Sequence, residues 1–352
     1  MSNIDSLQGS KYRLKFVILS AIFLVIFLAS FMVGRYGVSF PTLIKILWDW
    51  ILRYASFGHL SLIKTWDDAQ ASVVLNIRLP RIICACLIGS ALSVAGASYQ
   101  GMFRNPMVSP DLMGASTGAG FGAALAILLS FNYFGITLTA FAFGLAAVVL
   151  AYAVSKFSRI NQTLSLVLAG VMISSLFSAC TSFVKLVADT DEQLPAITYW
   201  LMGSLSSIKE VDAKFVLLPI TAGLVPIILL RWRINLLTVS EAEAKSLGLN
   251  TTRLRFIIII AATLITSASV AVSGMIGWVG LVIPHFCRMI FGYDYRRIIP
   301  SAILMGASFL MLVDDIARVI TTGELPLGVL TSFVGAPVFI YLIIQGGADS
   351  EH

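Results

Sequence analysis

The feature that most restricts this chain is its series of uninterrupted apolar runs, near 16–33, 82–100, 111–130, 136–155, 163–186, 214–231, 254–273, 275–291, 300–320 and 328–345. A helix needs about 20 such residues to cross a hydrocarbon core about 30 Å thick, and each run approaches that length. Continuous runs exclude an outer-membrane barrel, whose strands alternate polar and apolar positions. Composition agrees: 58% of the 352 residues are hydrophobic and 12% are charged, where a soluble globule carries about 25% charge. No single water-soluble core holds that much apolar side chain. The expected fold is all-α: a polytopic membrane protein of about ten transmembrane helices, in one domain over 1–352. Disorder, a disulfide scaffold and a soluble enzyme are excluded with the barrel.

Lys11, Arg13 and Lys15 precede the first run, as in a secretory signal. The run is long enough to span and no small-x-small cleavage site follows it, so it reads as a first helix with a cytoplasmic N-terminus. An even number of crossings then returns the C-terminus to the same side. On that orientation fourteen of the 24 basic residues fall on inner segments. The bias is modest because the long outer segment 34–81 holds six of the other ten, and longer segments obey the positive-inside rule less strictly. Trp48, Trp50 and Trp66 in that segment suit a helix lying at the lipid interface. The net charge of +6 would suggest nucleic acid only if the cations clustered on one folded face. They fall between apolar runs instead, so no nucleic-acid partner is expected. Cys84, Cys86, Cys180 and Cys287 match no metal or redox spacing and read as small hydrophobes inside helices.

Gly96 precedes Pro106 by ten residues, and Gly274 precedes Pro284 by the same interval. Five helices separate the two units, so they would run in opposite senses, the inverted-repeat habit of transporters. Gly114, Gly118, Gly120 and Gly122 imitate a nucleotide fingerprint but sit in an apolar run, where small residues let helices pack closely. No GxxxxGK[ST] phosphate loop occurs, so the common route of ATP hydrolysis is closed to this chain.

Within the spans, away from their ends, charge is confined to Lys185, Asp314, Asp315 and Arg318. Intramembrane carboxylates are functional by default, yet Asp314 and Asp315 lie four and three residues before Arg318, a helical pairing distance. Ser174, Ser178, Ser182 and Lys185, with Thr181 beside them, form a polar stripe that either bonds to neighbouring helices or lines a watery path. Between the sixth and seventh runs lies the longest inner loop, 236–250. There Ser240 is placed to cap a short helix with Glu241 and Glu243 in its first turn and Gly248 at its end. Such a helix suits a docking surface for another protein, or a connector on the membrane surface.

Several stretches taken together resemble the FecCD-type permeases of bacterial ABC importers. They are Arg78-Leu-Pro-Arg81, Asn105-Pro-Met-Val-Ser-Pro-Asp-Leu-Met-Gly114, Tyr199-Trp-Leu-Met-Gly-Ser204, Ala244-Lys-Ser-Leu-Gly-Leu-Asn250, the run from Gly274 to Arg288, and Glu324-Leu-Pro-Leu-Gly328 continuing to Gly335-Ala-Pro-Val-Phe-Ile340. The likeness covers about 15–347. It implies ten transmembrane helices per subunit in a homodimer around a central path. Two cytoplasmic ATPase subunits would consume ATP and Mg, with no cofactor bound by this chain, and a periplasmic or lipid-anchored binding protein would deliver the substrate.

By the same resemblance, Arg78, Arg81 and Arg318 would meet acidic residues of the binding protein at the outer rim. Ser240, Glu241, Glu243, Lys245, Leu247 and Gly248 would couple to the ATPases, and Ser174, Ser178, Thr181, Ser182 and Lys185 would face the path. The implied location is the cytoplasmic membrane of a bacterium or archaeon. The implied cargo is a ferric siderophore or haem, then a corrinoid, then molybdate or tungstate. A secondary carrier independent of ATPases is the alternative class, and the scarcity of mid-membrane carboxylates argues against it.

Overall fold

The computed structural model describes the chain except Met1, 57–61, Ile63, 159–161, Ser240, Thr322 and 349–352, and except a few side chains of 2–10, 162, 241, 242, 245, 342, 343 and 345–348. Among the described residues every regular element is a helix. Ten helices follow the ten apolar runs: α1 Ser2–Ser30, α4 Leu79–Phe103, α5 Ala115–Leu128, α6 Tyr133–Phe157, α7 Gln162–Val187, α9 Glu210–Leu237, α11 Thr251–Ser273, α12 Val279–Phe291, α13 Tyr295–Ile320 and α14 Leu327–Ala348. Six spans are long and apolar enough to cross a membrane, in α1, in the continuous helical stretch that ends as α4, and in α6, α7, α9 and α11. Shorter helices punctuate them: α2 Phe40–Ala55, α3 Asp68–Ser72, α8 Gln193–Leu201 and α10 Glu241–Ser246.

The core is built on α4, whose run of Ala, Gly, Ser and Cys leaves nearly every residue from Pro80 to Phe103 buried. It packs against α9, α11, α12 and α13. Small residues make this approach possible, since helices in lipid associate through close packing rather than hydrophobic expulsion. A Cβ on Gly96 would lie 1.8 Å from the carbonyl oxygen of Gly280 in α12, and one on Gly89 would lie 2.2 Å from that of Gly306 in α13. The 114–122 glycines do the same for α5 against α6: Cβ atoms on Gly118 and Gly122 would each fall 2.6 Å from a carbonyl of α6.

The ten-residue Gly–Pro intervals fall on different local structure. Gly96 is inside α4 with Pro106 beyond its end, whereas Gly274 ends α11 and Pro284 lies inside α12. The chain between α11 and α12 is non-helical, with Gly274 at φ 67° and Trp278 at φ 69°. Backbone hydrogen bonds hold it: Ser204 N–H donates to Ser273 O at 2.8 Å, and Leu327 N–H donates to Gly203 O at 2.8 Å. Irregular backbone at membrane depth survives where protein, not lipid, surrounds it.

In the 34–81 segment, α2 turns Leu43 and Ile46 inward and leaves Trp48, Trp50 and Tyr54 exposed, the arrangement of a helix at a lipid–water boundary. Trp66 departs from that pattern and is buried.

Candidate functional site

Three places on this scaffold are candidates for function. The first is the rim where the end of α1, the start of α4, the end of α13 and the loop before α14 meet. Arg78, Arg81 and Arg318, which the resemblance implies would meet acidic residues of a binding protein, are 4%, 5% and 7% exposed. Their burial has a clear cause in partners that are distant in sequence. Arg81 grips Asp314 (Nη2–Oδ1 2.8 Å) and Glu324 (Nη1–Oε2 3.0 Å). Arg318 pairs with the same Asp314 at 3.2 Å and with Asp315, whose other oxygen accepts from Ser30 Oγ at 2.7 Å. Buried charge persists when it is paired and hydrogen-bonded, and here three carboxylates answer the two guanidinium groups of Arg81 and Arg318.

Arg78 is the exception. It donates to the carbonyls of Phe31 and Tyr36 and has no carboxylate partner among the described residues. Gly34, at φ 148°, leaves the space that it fills, for a Cβ there would meet Arg78 Nη2 at 2.7 Å. All three arginines line a pocket of about 240 Å³ together with Arg35, Tyr36 and Glu324. Of its carboxylates Asp314 is sealed at 1% side-chain exposure, while Glu324 keeps 30%. The pocket thus sets Arg78, without a carboxylate partner among the described residues, beside one partly exposed carboxylate, Glu324.

The second place is the hook between α9 and α11. Here α10 ends as the sequence predicts: Gly248 takes φ 76°, and Leu249 N–H reaches back to Ala244 O at 3.1 Å, the closure typical of a glycine C-cap. Ala244 is buried, while Glu243 and Leu247 are exposed. Ser240 lies outside the described residues, as do the side chains of Glu241 and Lys245.

Two neighbours of the hook were not singled out by sequence reasoning. Arg104, in the left-handed conformation that ends α4, donates to Val239 O at 3.3 Å and so ties the approach to α10 onto the central helix. Asp294 caps α13, accepting from Arg296 N at 2.9 Å and from Asn235 Nδ2 at 2.8 Å. Burial raises its carboxyl pKa, but these hydrogen bonds and the Arg296 guanidinium outweigh burial and hold it below the ordinary carboxylate value.

The third place is a pocket of about 550 Å³ where α8, the 274–278 segment and the start of α14 meet, lined by Met202, Met275, Gly328, Ser332 and Phe333 among others. On α7 the predicted stripe divides: Ser178 and Ser182 are exposed, while Ser174, Thr181 and Lys185 are half-buried on its flank. Ser175, absent from the predicted stripe, shares the exposed face. Ser182 and Thr181 donate to carbonyls one turn back in their own helix, at 3.0 and 2.8 Å, rather than to neighbouring helices.

A helical bundle with a buried core, a charged cleft at one end, an exposed hook at the other and several apolar spans fits a multi-pass membrane protein. The FecCD transport family model matches residues 22–345, and the chain belongs to that family of ABC-transporter permeases, which work with ATPase subunits and binding proteins. It is 37% identical over 321 residues to the molybdate import system permease protein MolB of Haemophilus influenzae, covering 90% of this chain and 92% of that one. A probable iron chelatin transport system permease protein of Helicobacter pylori is 42% identical over 275 residues, 78% of this chain and 82% of that one. A solved inward-facing structure of a metal-chelate type ABC transporter superposes with a TM-score of 0.82 at 34% identity, covering 93% of this chain and 97% of its own.

Proposed function

We propose that this chain is the membrane subunit of a binding-protein-dependent importer that carries a metal chelate, a ferric siderophore or haem, inward by alternating access. Two copies enclose the path, two cytoplasmic ATPases drive them with ATP and Mg, one external binding protein loads them, and both termini lie in the cytoplasm. The observation that carries this reading is the pairing of an exposed α10, closed by Gly248, with a sequence that has no phosphate loop of its own. The fuel then has to be used by another subunit, and the chain presents a hook to it. No cofactor is needed by the chain itself.

The charged rim supports the other end of the cycle. A carboxylate of the binding protein entering the 240 Å³ cleft would meet Arg78, which has no carboxylate partner among the described residues, and would compete with Glu324 for Arg81. Charge-assisted pairs of this kind orient a docked protein and weaken with salt. A secondary carrier would need titratable carboxylates in mid-membrane, and Asp314 and Asp315 are instead committed to ion pairs near the end of α13.

The cargo divides the relatives. Names such as iron chelatin, hemin and Fe(3+) dicitrate favour a ferric chelate, while MolB, similar along nearly the whole chain, favours molybdate as a second reading. Proteoliposomes holding the chain, its ATPases and its binding protein separate them: uptake of labelled ferric chelate or haem that requires ATP is expected. Uptake of molybdate alone would replace the cargo, and uptake without ATPase or ATP would sink the importer reading.

A further inference from the structure

At the α10 end of the molecule, where Asn235 of α9 and Asp294 before α13 are joined at 2.8 Å, a small pocket opens between the start of α1, the end of α12 and the start of α13. It measures about 140 Å³ and is lined by Lys11, Tyr12, Lys15, Ile290, Phe291 and Arg297. That is well below the roughly 300 Å³ at which pockets begin to enclose a whole small molecule, but its lining holds three cations and no acid.

None of the three is neutralised within the described residues. Lys15 Nζ donates to Ile290 O at 2.7 Å, which leaves two of its three donors unused. Arg297 lies over the Tyr12 ring, 5.3 Å from its centre, and that ring abuts Phe291 edge-on. Asp294, three residues before Arg297, is already held by Arg296 at 2.9 Å and by Asn235. The site is thus a cationic cup with a preset aromatic wall, facing outward from the bundle.

What lies beside the cup indicates its occupant. Along α1 the positions Lys11, Lys15, Ile18, Ile22 and Val25 are spaced four, three, four and three residues apart, so they share one face. Lys11 and Lys15 are exposed, and so are the three apolar residues that follow. From Lys15 to Val25 that face runs about 15 Å at 1.5 Å per residue, the depth of one leaflet of a hydrocarbon core about 30 Å thick. Cations followed by one leaflet of bare apolar surface match an amphiphile whose charged end is an anion.

We propose that Lys11, Lys15 and Arg297 form a binding site for the headgroup phosphate of an anionic phospholipid, whose acyl chain lies along Ile18, Ile22 and Val25. Basic pockets between helices at a membrane surface are suited to this ligand class. The assignment does not depend on the transported cargo. A lipid held here would bridge α1 to the α12–α13 junction, joining a peripheral helix to the bundle at the same face as the hook.

The test uses the purified full chain, titrated with phosphatidylglycerol and with phosphatidylcholine and read by native mass spectrometry. Retention of phosphatidylglycerol should fall about fivefold for each cation lost across Lys11→Gln, Lys15→Gln and Arg297→Gln, with phosphatidylcholine retention unchanged. Arg13→Gln, which removes the same charge from α1 outside the pocket, should leave both unchanged. Lys11→Gln alone keeps the test valid if the triple variant does not fold, because Lys11 has no hydrogen bond or ion pair in the described structure. Equal retention by the site variants, an equal loss with Arg13→Gln, or displacement of the lipid by equimolar soluble glycerol phosphate would each overturn the assignment.

Discussion

Asp314 is the carboxylate shared by two buried guanidinium groups. It accepts Arg81 through Nε at 3.0 Å and Nη2 at 2.8 Å, and it pairs with Arg318 at 3.2 Å. Both guanidinium groups are buried with it, so removing the carboxylate leaves two desolvated cations short of a partner. Breaking a buried pair by truncating one member costs about 3–5 kcal/mol, because the remaining charge is uncompensated. Asp314→Ala is therefore expected to lower stability by about that amount in thermal unfolding of the purified chain. Arg35→Ala is its comparison, for Arg35 also lines the cleft but makes one hydrogen bond, to Thr321 O, in exposed surroundings. A loss no greater than for Arg35→Ala would show that the network adds little. The i,i+4 relation of Asp314 to Arg318 is legible in the sequence, whereas the bond to Arg81 is not. Those residues are 233 positions apart, and no spacing rule reports on a contact that only tertiary packing creates.

Helices were the most legible level of this molecule, and the reason is physical. In lipid every backbone polar group is satisfied inside its own segment, so an apolar run long enough to span has one conformation open to it. All ten runs became helices near the expected bounds, and the Gly248 cap of α10 followed from local chemistry alone. The short α8 was not foreseen, since nine residues with Pro195 inside carry too little periodic signal. The break between α11 and α12 read as two adjoining spans; its positive φ at Trp278 is imposed by surrounding backbone rather than by local preference.

Packing glycines lie between these cases, for their type is visible but their partners are not. Gly96 and Gly280 face each other so closely that a side chain on either requires α4 and α12 to separate: a Cβ on Gly280 would fall 2.6 Å from Leu92 O of α4, as well as 2.3 Å from Pro110 Cγ. Gly96→Val and Gly280→Val should each destabilise the purified chain by about 1–3 kcal/mol or more, as overpacking does. Gly37→Ala, with nothing within 4 Å of the added atom, should stay near wild type. Matching melting curves for Gly96→Val and Gly37→Ala would mean that α12 does not pack on α4 in this way.

At the scale of the whole molecule, what is left uncovered matters most. Along α7 and α14, Leu164, Leu176, Phe183, Leu186, Phe333 and Ile344 are exposed apolar side chains, and Ser178 and Ser182 lie among those of α7. Lipid alone would have little use for the hydroxyls, while a second copy enclosing a water-filled path would place both kinds of residue at one boundary. The two situations differ in how a thiol placed there behaves. A thiolate forms in contact with water and is the reactive species, whereas a thiol facing lipid stays protonated and inert.

With Cys86→Ala and Cys180→Ala removing the half-buried native thiols, Ser178→Cys and Ser182→Cys in the ATPase-bound complex should react with a water-soluble maleimide. The rate should exceed that of Leu229→Cys by about tenfold or more, since Leu229 is 69% exposed on α9 within a wholly apolar stretch, Leu224 to Leu230, that offers water no polar side chain. Adding a nucleotide that traps the ATPases closed should change the rate at the two α7 positions and leave Leu229→Cys alone. If Ser178→Cys and Ser182→Cys are as unreactive as Leu229→Cys in both states, α7 faces lipid, and the path must run instead by the pocket of Met202, Met275 and Phe333.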